Sequence, residues 1–274
     1  NIEKRATKEF KVEVEFVNTD KFPAGYELGT PEVNPETVTI VSSESIIEQI
    51  ALVKVFVDVA DLTESITNRE VPVSIYDIQG NVINARVEPE SVKVSVLVER
   101  PSKAVPLNVK TIGNLKEGLT LEEINAPEEI EIYGKRAILD GINEINTKEI
   151  DLSKINESGA IEVELDLPEG VVADHEKVKV DIQLREEKVI EEVTINTVGQ
   201  TNHNVTFVQP ERPILDVIAI GHDQLIKRLK KDQIKASIDI SNLTEGEHKV
   251  SLSVSGPENI TLEPEFQQIT ILVE

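Results

Sequence analysis

The chain has 274 residues, 39% hydrophobic side chains, 3% aromatics, no Trp, no Cys and a formal net charge of −23. Its length exceeds one small domain, at roughly 100–150 residues each. Its apolar content excludes a disordered polyelectrolyte, and its acidity excludes a surface built for phosphate backbones. That acidity serves solubility, or steers a basic partner. Without cysteine there is neither a disulfide framework nor a thiolate zinc site. No apolar run reaches the roughly 18 residues of a membrane helix. The first residue is Asn rather than Met, so the sequence reads as a fragment or processed product, with any membrane anchor outside it.

In chain order, Phe10-Lys11-Val12-Glu13-Val14-Glu15-Phe16 alternates strictly, which predicts a strand with one buried and one wet face. Val105–Ile112 and Val189–Val198 carry similar patterns further on, and Val92–Val98, Val178–Leu184 and Ile269–Val273 read as closing strands. Turn chemistry separates the strands at Gln79-Gly80-Asn81, Pro168-Glu169-Gly170 and Ser255-Gly256-Pro257. Single short helices are predicted within Ser45–Ile50, Lys135–Ile142 and Asp223–Leu229. In the last, Asp223 stands at the start and Leu225, Ile226 and Leu229 share one face. The predicted fold class is mainly β, largely antiparallel, with about one short helix per domain.

The landmarks repeat. Val57-Asp58-Val59-Ala60-Asp61-Leu62, Ile150-Asp151-Leu152-Ser153-Lys154-Ile155 and Ile238-Asp239-Ile240-Ser241-Asn242-Leu243 all read apolar-Asp-apolar-small-polar-apolar. Asn34-Pro35-Glu36 precedes Val38 and Ile40, and Ala126-Pro127-Glu128 precedes Ile130 and Ile132. Ile218 and Ile220 follow the Pro210–Pro213 turn. Gly25-Tyr26, Gly118-Leu119 and Asn204-Val205 occupy matching places. Ordered landmarks at near-constant spacing predict three tandem copies, 1–99, 100–186 and 187–274. Each is too long for a solenoid repeat, so the expectation is an elongated array of beads. The joints Glu99-Arg100-Pro101-Ser102 and Arg185-Glu186-Glu187-Lys188 lack glycine tracts, as stiff connections would. The repeated Asp is read as a turn-forming residue whose side chain bonds nearby backbone N–H groups.

Catalytic patterns are missing. His175, His203, His222 and His248 fall at unrelated places in the repeat and are read as surface residues. There is no Gly-x-Ser-x-Gly elbow, Walker loop or dinucleotide fingerprint; Gly113 and Gly118 sit in a turn after a strand. Acid pairs such as Glu122-Glu123, Glu128-Glu129 and Glu186-Glu187 are unavoidable among 51 acidic residues. The Asn-x-Ser/Thr triplets at Asn156, Asn204, Asn242 and Asn259 carry no weight. No catalytic, cofactor-binding or metal-ligating residue is assigned. The one candidate binding segment is the turn Phe22–Tyr26, whose apolar and aromatic side chains are expected at an exposed tip.

With its Pro-Glu turn leading into a Val-x-Ile strand, its mid-copy Ile-Asp-Ile/Leu-Ser segment and its closing Val-x-Val, the repeat resembles the YbbR domain. The stretches that carry the resemblance are Asn34–Val41 with Val57–Leu62, Ala126–Ile132 with Ile150–Ile155, and Pro210–Ile220 with Ile238–Leu243. The first copy departs from the pattern at Ala60, and the third has Asn204 where the others have Gly. The resemblance implies domains that project from the outer face of a bacterial plasma membrane behind an N-terminal anchor. It also implies a non-catalytic regulator of a membrane diadenylate cyclase, tuning cyclic di-AMP synthesis. The alternatives are an ectodomain that binds cell-wall glycans or ions, and a hydrolase.

Overall fold

The computed structural model describes residues 4–199 and 204–274. Strands dominate, and three short α-helices occur among the described residues: α1 (Glu44–Gln49), α2 (Arg136–Leu139) and α3 (Asp223–Arg228). The last two fall inside their predicted windows, and α1 begins one residue before Ser45–Ile50. Ile47, Leu139 and Ile226 anchor them in the interior. Leu225, expected on the buried face of α3, is instead 39% exposed, and the inward positions of that helix are taken by Asp223 and Ile226.

The chain forms two compact units. One comprises the described residues up to Asn108 with Glu128–Asn146 and Asp166–Glu176; the other comprises Val109–Pro127, Thr147–Leu165 and the described residues from Lys177 onward. The second copy thus contributes segments to both.

In the first unit, Arg5–Lys11 pairs antiparallel with Thr37–Ser43, which also pairs with Arg86–Glu88. Glu13–Val17 then runs parallel to Ile50–Asp58. The alternating run Phe10–Phe16 is therefore divided between two partners. The switch falls at Val12, a buried residue whose N–H donates to Glu36 O at 2.9 Å. The side-chain alternation continues through the switch. Ser91–Val96 lies between Glu32–Asn34 and Ile66–Pro72. The aliphatic core gathers Val38, Ile40, Val55, Val57, Val92 and Val94, with Phe10, Phe16 and Phe22 packed at its margin.

In the second unit, the 22-residue strand Lys177–Val198 pairs with Leu119–Asn125, with Gly159–Asp166 and with Ile214–His222. Arg185–Lys188, read from sequence as a joint, lies within this continuous strand. A bulge between Ile190 and Val193 bends it; Glu192 adopts a left-handed φ of 52° there, and its N–H donates to Asp216 Oδ1 at 2.9 Å. The core is again aliphatic, built around Ile195, Val217, Ala219, Ile238, Ile269 and Ile271.

The expectation of largely antiparallel copies omits one recurrent feature. Val17 lies opposite Asp58, Ile112 opposite Asp151 and Val198 opposite Asp239, each in a parallel pair. A parallel crossover thus ends on the repeated Asp in every copy. Hydrophobic period is the same for parallel and antiparallel strands, so the sequence pattern does not distinguish them.

Candidate functional site

The repeated Asp closes each crossover as a turn. Asp58 Oδ1 accepts from Ala60 N at 2.9 Å, Asp151 Oδ1 from Ser153 N at 3.1 Å and Asp239 Oδ1 from Ser241 N at 2.8 Å. All three carboxyls are held below the ordinary carboxylate range. The largest cause is the Ala60 amide for Asp58, the Ser153 hydroxyl for Asp151 and the Ser241 hydroxyl for Asp239. The residue after the facing strand adopts left-handed backbone in each copy: Asn18 at φ 58°, Gly113 at 73° and Gly199 at 104°. Asn18 Nδ2 donates to Asp58 Oδ1 at 3.0 Å. A β-carbon on Gly113 would fall 2.9 Å from Asp151 Oδ1, and one on Gly199 would collide with Ser241 Oγ. Asn and Gly are the residues that tolerate this conformation, and the repeated Asp is a folding device.

Seven residues after the Asp, the same segment supplies a serine in the first two copies. Asp58-Val59-Ala60-Asp61-Leu62-Thr63-Glu64-Ser65 aligns with Asp151-Leu152-Ser153-Lys154-Ile155-Asn156-Glu157-Ser158 and with Asp239-Ile240-Ser241-Asn242-Leu243-Thr244-Glu245-Gly246. Ser65 Oγ accepts from Val98 N at 2.9 Å and Ser158 Oγ from Leu184 N at 2.8 Å, so each ties its segment to the closing strand of its copy. The repeat comparison ended at Leu62 and Ile155; extending it by three positions would have exposed this serine.

Ser158 has a further role. Its Oγ donates to Asp223 Oδ1 at 2.6 Å and its N–H to Asp223 Oδ2 at 3.0 Å. Asp223 opens α3 and is fully buried. Burial pushes its carboxyl up, but the two Ser158 bonds, Lys227 and the Gln224 N–H more than offset this and hold it below the ordinary carboxylate range. Lys227 Nζ lies 3.4 Å from Asp223 Oδ2 and 3.5 Å from Glu157 Oε2, and donates to Asn156 O at 3.3 Å. This cluster fastens α3 to the 156–158 turn within the second unit.

A cluster of different chemistry lies within the first unit. The Arg100 guanidinium lies 3.6 Å from the Tyr133 ring centroid and 5.9 Å from that of Tyr26. Its Nη2 donates to Asp174 Oδ1 at 2.9 Å, and the Tyr133 hydroxyl donates to Asp174 Oδ2 at 3.0 Å. The Arg100 bond, followed by that from Tyr133, holds the Asp174 carboxyl below its ordinary range, and the bond to Asp174 pushes the Tyr133 phenol up. Arg136, at the start of α2, bonds Glu99 Oε2 at 2.7 Å and lies 3.7 Å from Glu27 Oε2. Arg136 and Asp223 thus hold corresponding places, one at the start of each helix.

Phe22–Tyr26, expected as an exposed tip, is committed to this contact. Phe22 packs against the core, and Tyr26 faces Arg100. A β-carbon on Gly25, at φ 85°, would fall 2.6 Å from Val172 Cγ2. Beside it runs a groove lined by Phe22, Pro23, Tyr26, Lys135, Ile138 and Gly170. The exposed apolar tip is elsewhere. Ile78 is 87% and Val82 64% exposed, flanking a turn in which Asp77 Oδ1 accepts from Gln79 N and Asn81 N.

The histidines are dispersed. His175 is exposed, and His248 Nε2 lies 2.7 Å from Thr244 O. His203 lies outside the described residues. His222, expected at the surface, is half-buried beside Asp223. No group of three His, Asp or Glu residues is placed to hold a metal ion among the described residues. No helix there is long and apolar enough to cross a membrane.

Three occurrences of one crossover with its Asp turn define a tandem β-module protein. The profile of the family described as YbbR-like protein matches residues 10–96 and 105–184, and the chain belongs to that family. The CdaA regulatory protein CdaR of Bacillus subtilis is 38% identical over 265 residues, covering 95% of this chain and 55% of that protein. The chain spans about half the length of this curated relative. Solved structures that are similar include the YbbR-like domain of the lmo2119 protein from Listeria monocytogenes, 16% identical, with a TM-score of 0.29 over 32% of this chain and 93% of that one. Another is a YbbR-like protein from Streptococcus pneumoniae, 17% identical, with a TM-score of 0.28 over 67% of this chain and 96% of that one.

Proposed function

We propose that the chain is the module-bearing part of a non-catalytic regulator that acts by docking on a membrane diadenylate cyclase of the CdaA kind. The observation that carries this reading is the 38% identity, spread over 95% of the chain, to a protein named for regulating CdaA. In this reading the modules are 1–99, 100–186 and 187–274. They stand at the outer face of a bacterial plasma membrane, held there by a segment outside this sequence. The fastened contacts at Arg100 and Asp223 support transmission of a docking event from one module to the next.

Co-expression of the full-length anchored protein with the cyclase tests the reading. A change in cellular cyclic di-AMP relative to the cyclase alone, together with co-purification of the two proteins, is expected. Unchanged cyclic di-AMP and no co-purification overturn it.

A further inference from the structure

Within residues 224–235 stand five of the chain's 28 Lys and Arg residues, namely Lys227, Arg228, Lys230, Lys231 and Lys235, against a single acid, Asp232. The stretch nets +4 in a chain that nets −23. Ile226, Leu229 and Ile234 turn inward to the core of the second unit, which directs the polar positions between them outward. Arg228, Lys230, Lys231 and Lys235 are exposed, and no ion pair joins any of the four to an acid among the described residues. Leu225, 39% exposed, stands on the same helix. Lys227 and Arg228 complement the C-terminal end of α3. Lys230, Lys231 and Lys235 lie beyond that end, where the helix gives no reason for them.

We propose that residues 224–235 form a docking surface for a lipid bilayer with anionic headgroups. Arg228, Lys230, Lys231 and Lys235 meet the headgroups, and Leu225 enters between them. Three of these four cations are Lys, a point charge on a flexible stem, which suits mobile headgroup phosphates. Recognition of carboxylates fixed on a protein favours the planar Arg fork instead. Exposed cations beside an exposed leucine are the pattern of an interfacial surface. Of the acids alongside, Glu157 is engaged by Lys227 at 3.5 Å, and Asp232 is outnumbered. The acidity of the remaining chain opposes an anionic layer only within the screening length, about 8 Å at physiological ionic strength. Charges farther from the layer than that weigh little against the local patch. Docking to the cyclase is not needed for this contact.

Co-sedimentation of the whole chain with lipid vesicles, free of any cyclase, tests the surface. Partition onto vesicles of phosphatidylglycerol mixed with phosphatidylcholine is expected, falling as salt is raised, with none onto phosphatidylcholine alone. In the triple variant Arg228→Gln, Lys230→Gln, Lys231→Gln the partition coefficient is expected to drop about a hundredfold, the scale of three cations near a charged surface. Removing the same charge at Lys116, Lys179 and Lys249, exposed elsewhere on the second unit, is expected to leave it nearly unchanged. Equal partition onto both kinds of vesicle, or equal losses in the two triple variants, overturns the proposal. So does a lack of partition of the unmodified chain onto the anionic vesicles, and retention on immobilised poly-glutamate would then assign the surface to an acidic protein.

Discussion

Ser158 and Asp223, 65 positions apart, share two hydrogen bonds of 2.6 and 3.0 Å with both residues buried. A buried carboxylate is tolerable only while its oxygens are satisfied. Here one serine supplies both a hydroxyl and an amide, and Lys227 adds a cation at the rim. The pair places a large share of the local stability on two small side chains.

Asp223→Ala removes the acceptor for the Ser158 hydroxyl and amide and is expected to destabilise the second unit by about 2–4 kcal/mol. Ser158→Ala leaves a buried carboxylate short of one donor and deprives the Leu184 amide of its acceptor, at about 1–3 kcal/mol. Urea unfolding of each single variant and of the double variant checks this. The double variant is expected to lose clearly less than the sum, because both substitutions break the same bonds.

The turn aspartates set the behaviour in acid. The folded-state affinities of Asp58, Asp151 and Asp239 for protons are all lowered. Their contribution is therefore present above the unfolded carboxylate range, near about pH 4. It is lost as pH falls through their folded values. Replacing all three by Asn keeps the side-chain oxygen that accepts the turn N–H but removes the titration. Stability measured between pH 3 and pH 7 is expected to change less steeply in that variant than in the unmodified chain.

Glycine substitutions separate backbone strain from collision. Gly80, at φ 84°, has open space around it, so Gly80→Ala is expected to cost only the left-handed penalty, about 1–2 kcal/mol. At Gly199, with φ 104°, an added β-carbon would also collide with Ser241 Oγ and fall 2.9 Å from Ser241 N. Gly199→Ala is expected to cost more, about 3 kcal/mol or above, as strain and overpacking add. Thermal unfolding of the two variants side by side gives the comparison, and equal losses would contradict it.

At Arg100, charge alone does not suffice. Arg100→Lys keeps the cation but gives up the flat stack on Tyr133 that accompanies the bond to Asp174. In Arg100→Ala the Asp174 carboxyl is expected to titrate nearer the ordinary carboxylate range, since its largest stabilising bond is gone. In Arg100→Lys it is expected to titrate between the two. Carboxyl-carbon NMR titration of Asp174 in the three proteins reads this directly.

What the sequence determined by itself was periodic and local. Alternation of Val and Ile with polar residues defines strands whatever their partners, and the Asp-x-Ser turn is made by neighbours two positions apart, so both were legible. The window of α3 followed from Asp223 at its start and apolar residues at helical spacing. What only the tertiary structure decided was pairing. Val12 carries the same alternation as its neighbours, yet there the chain changes partner, and the parallel crossovers look like any other strands in sequence. The roles of Phe22–Tyr26, His222 and Ser158 depend on residues tens of positions away. An aromatic turn is exposed or buried according to what meets it, and here Arg100 and Val172 do. Ser158 meets a buried carboxylate only because Asp223, 65 positions on, is brought within bonding distance, which depends on how the chain packs.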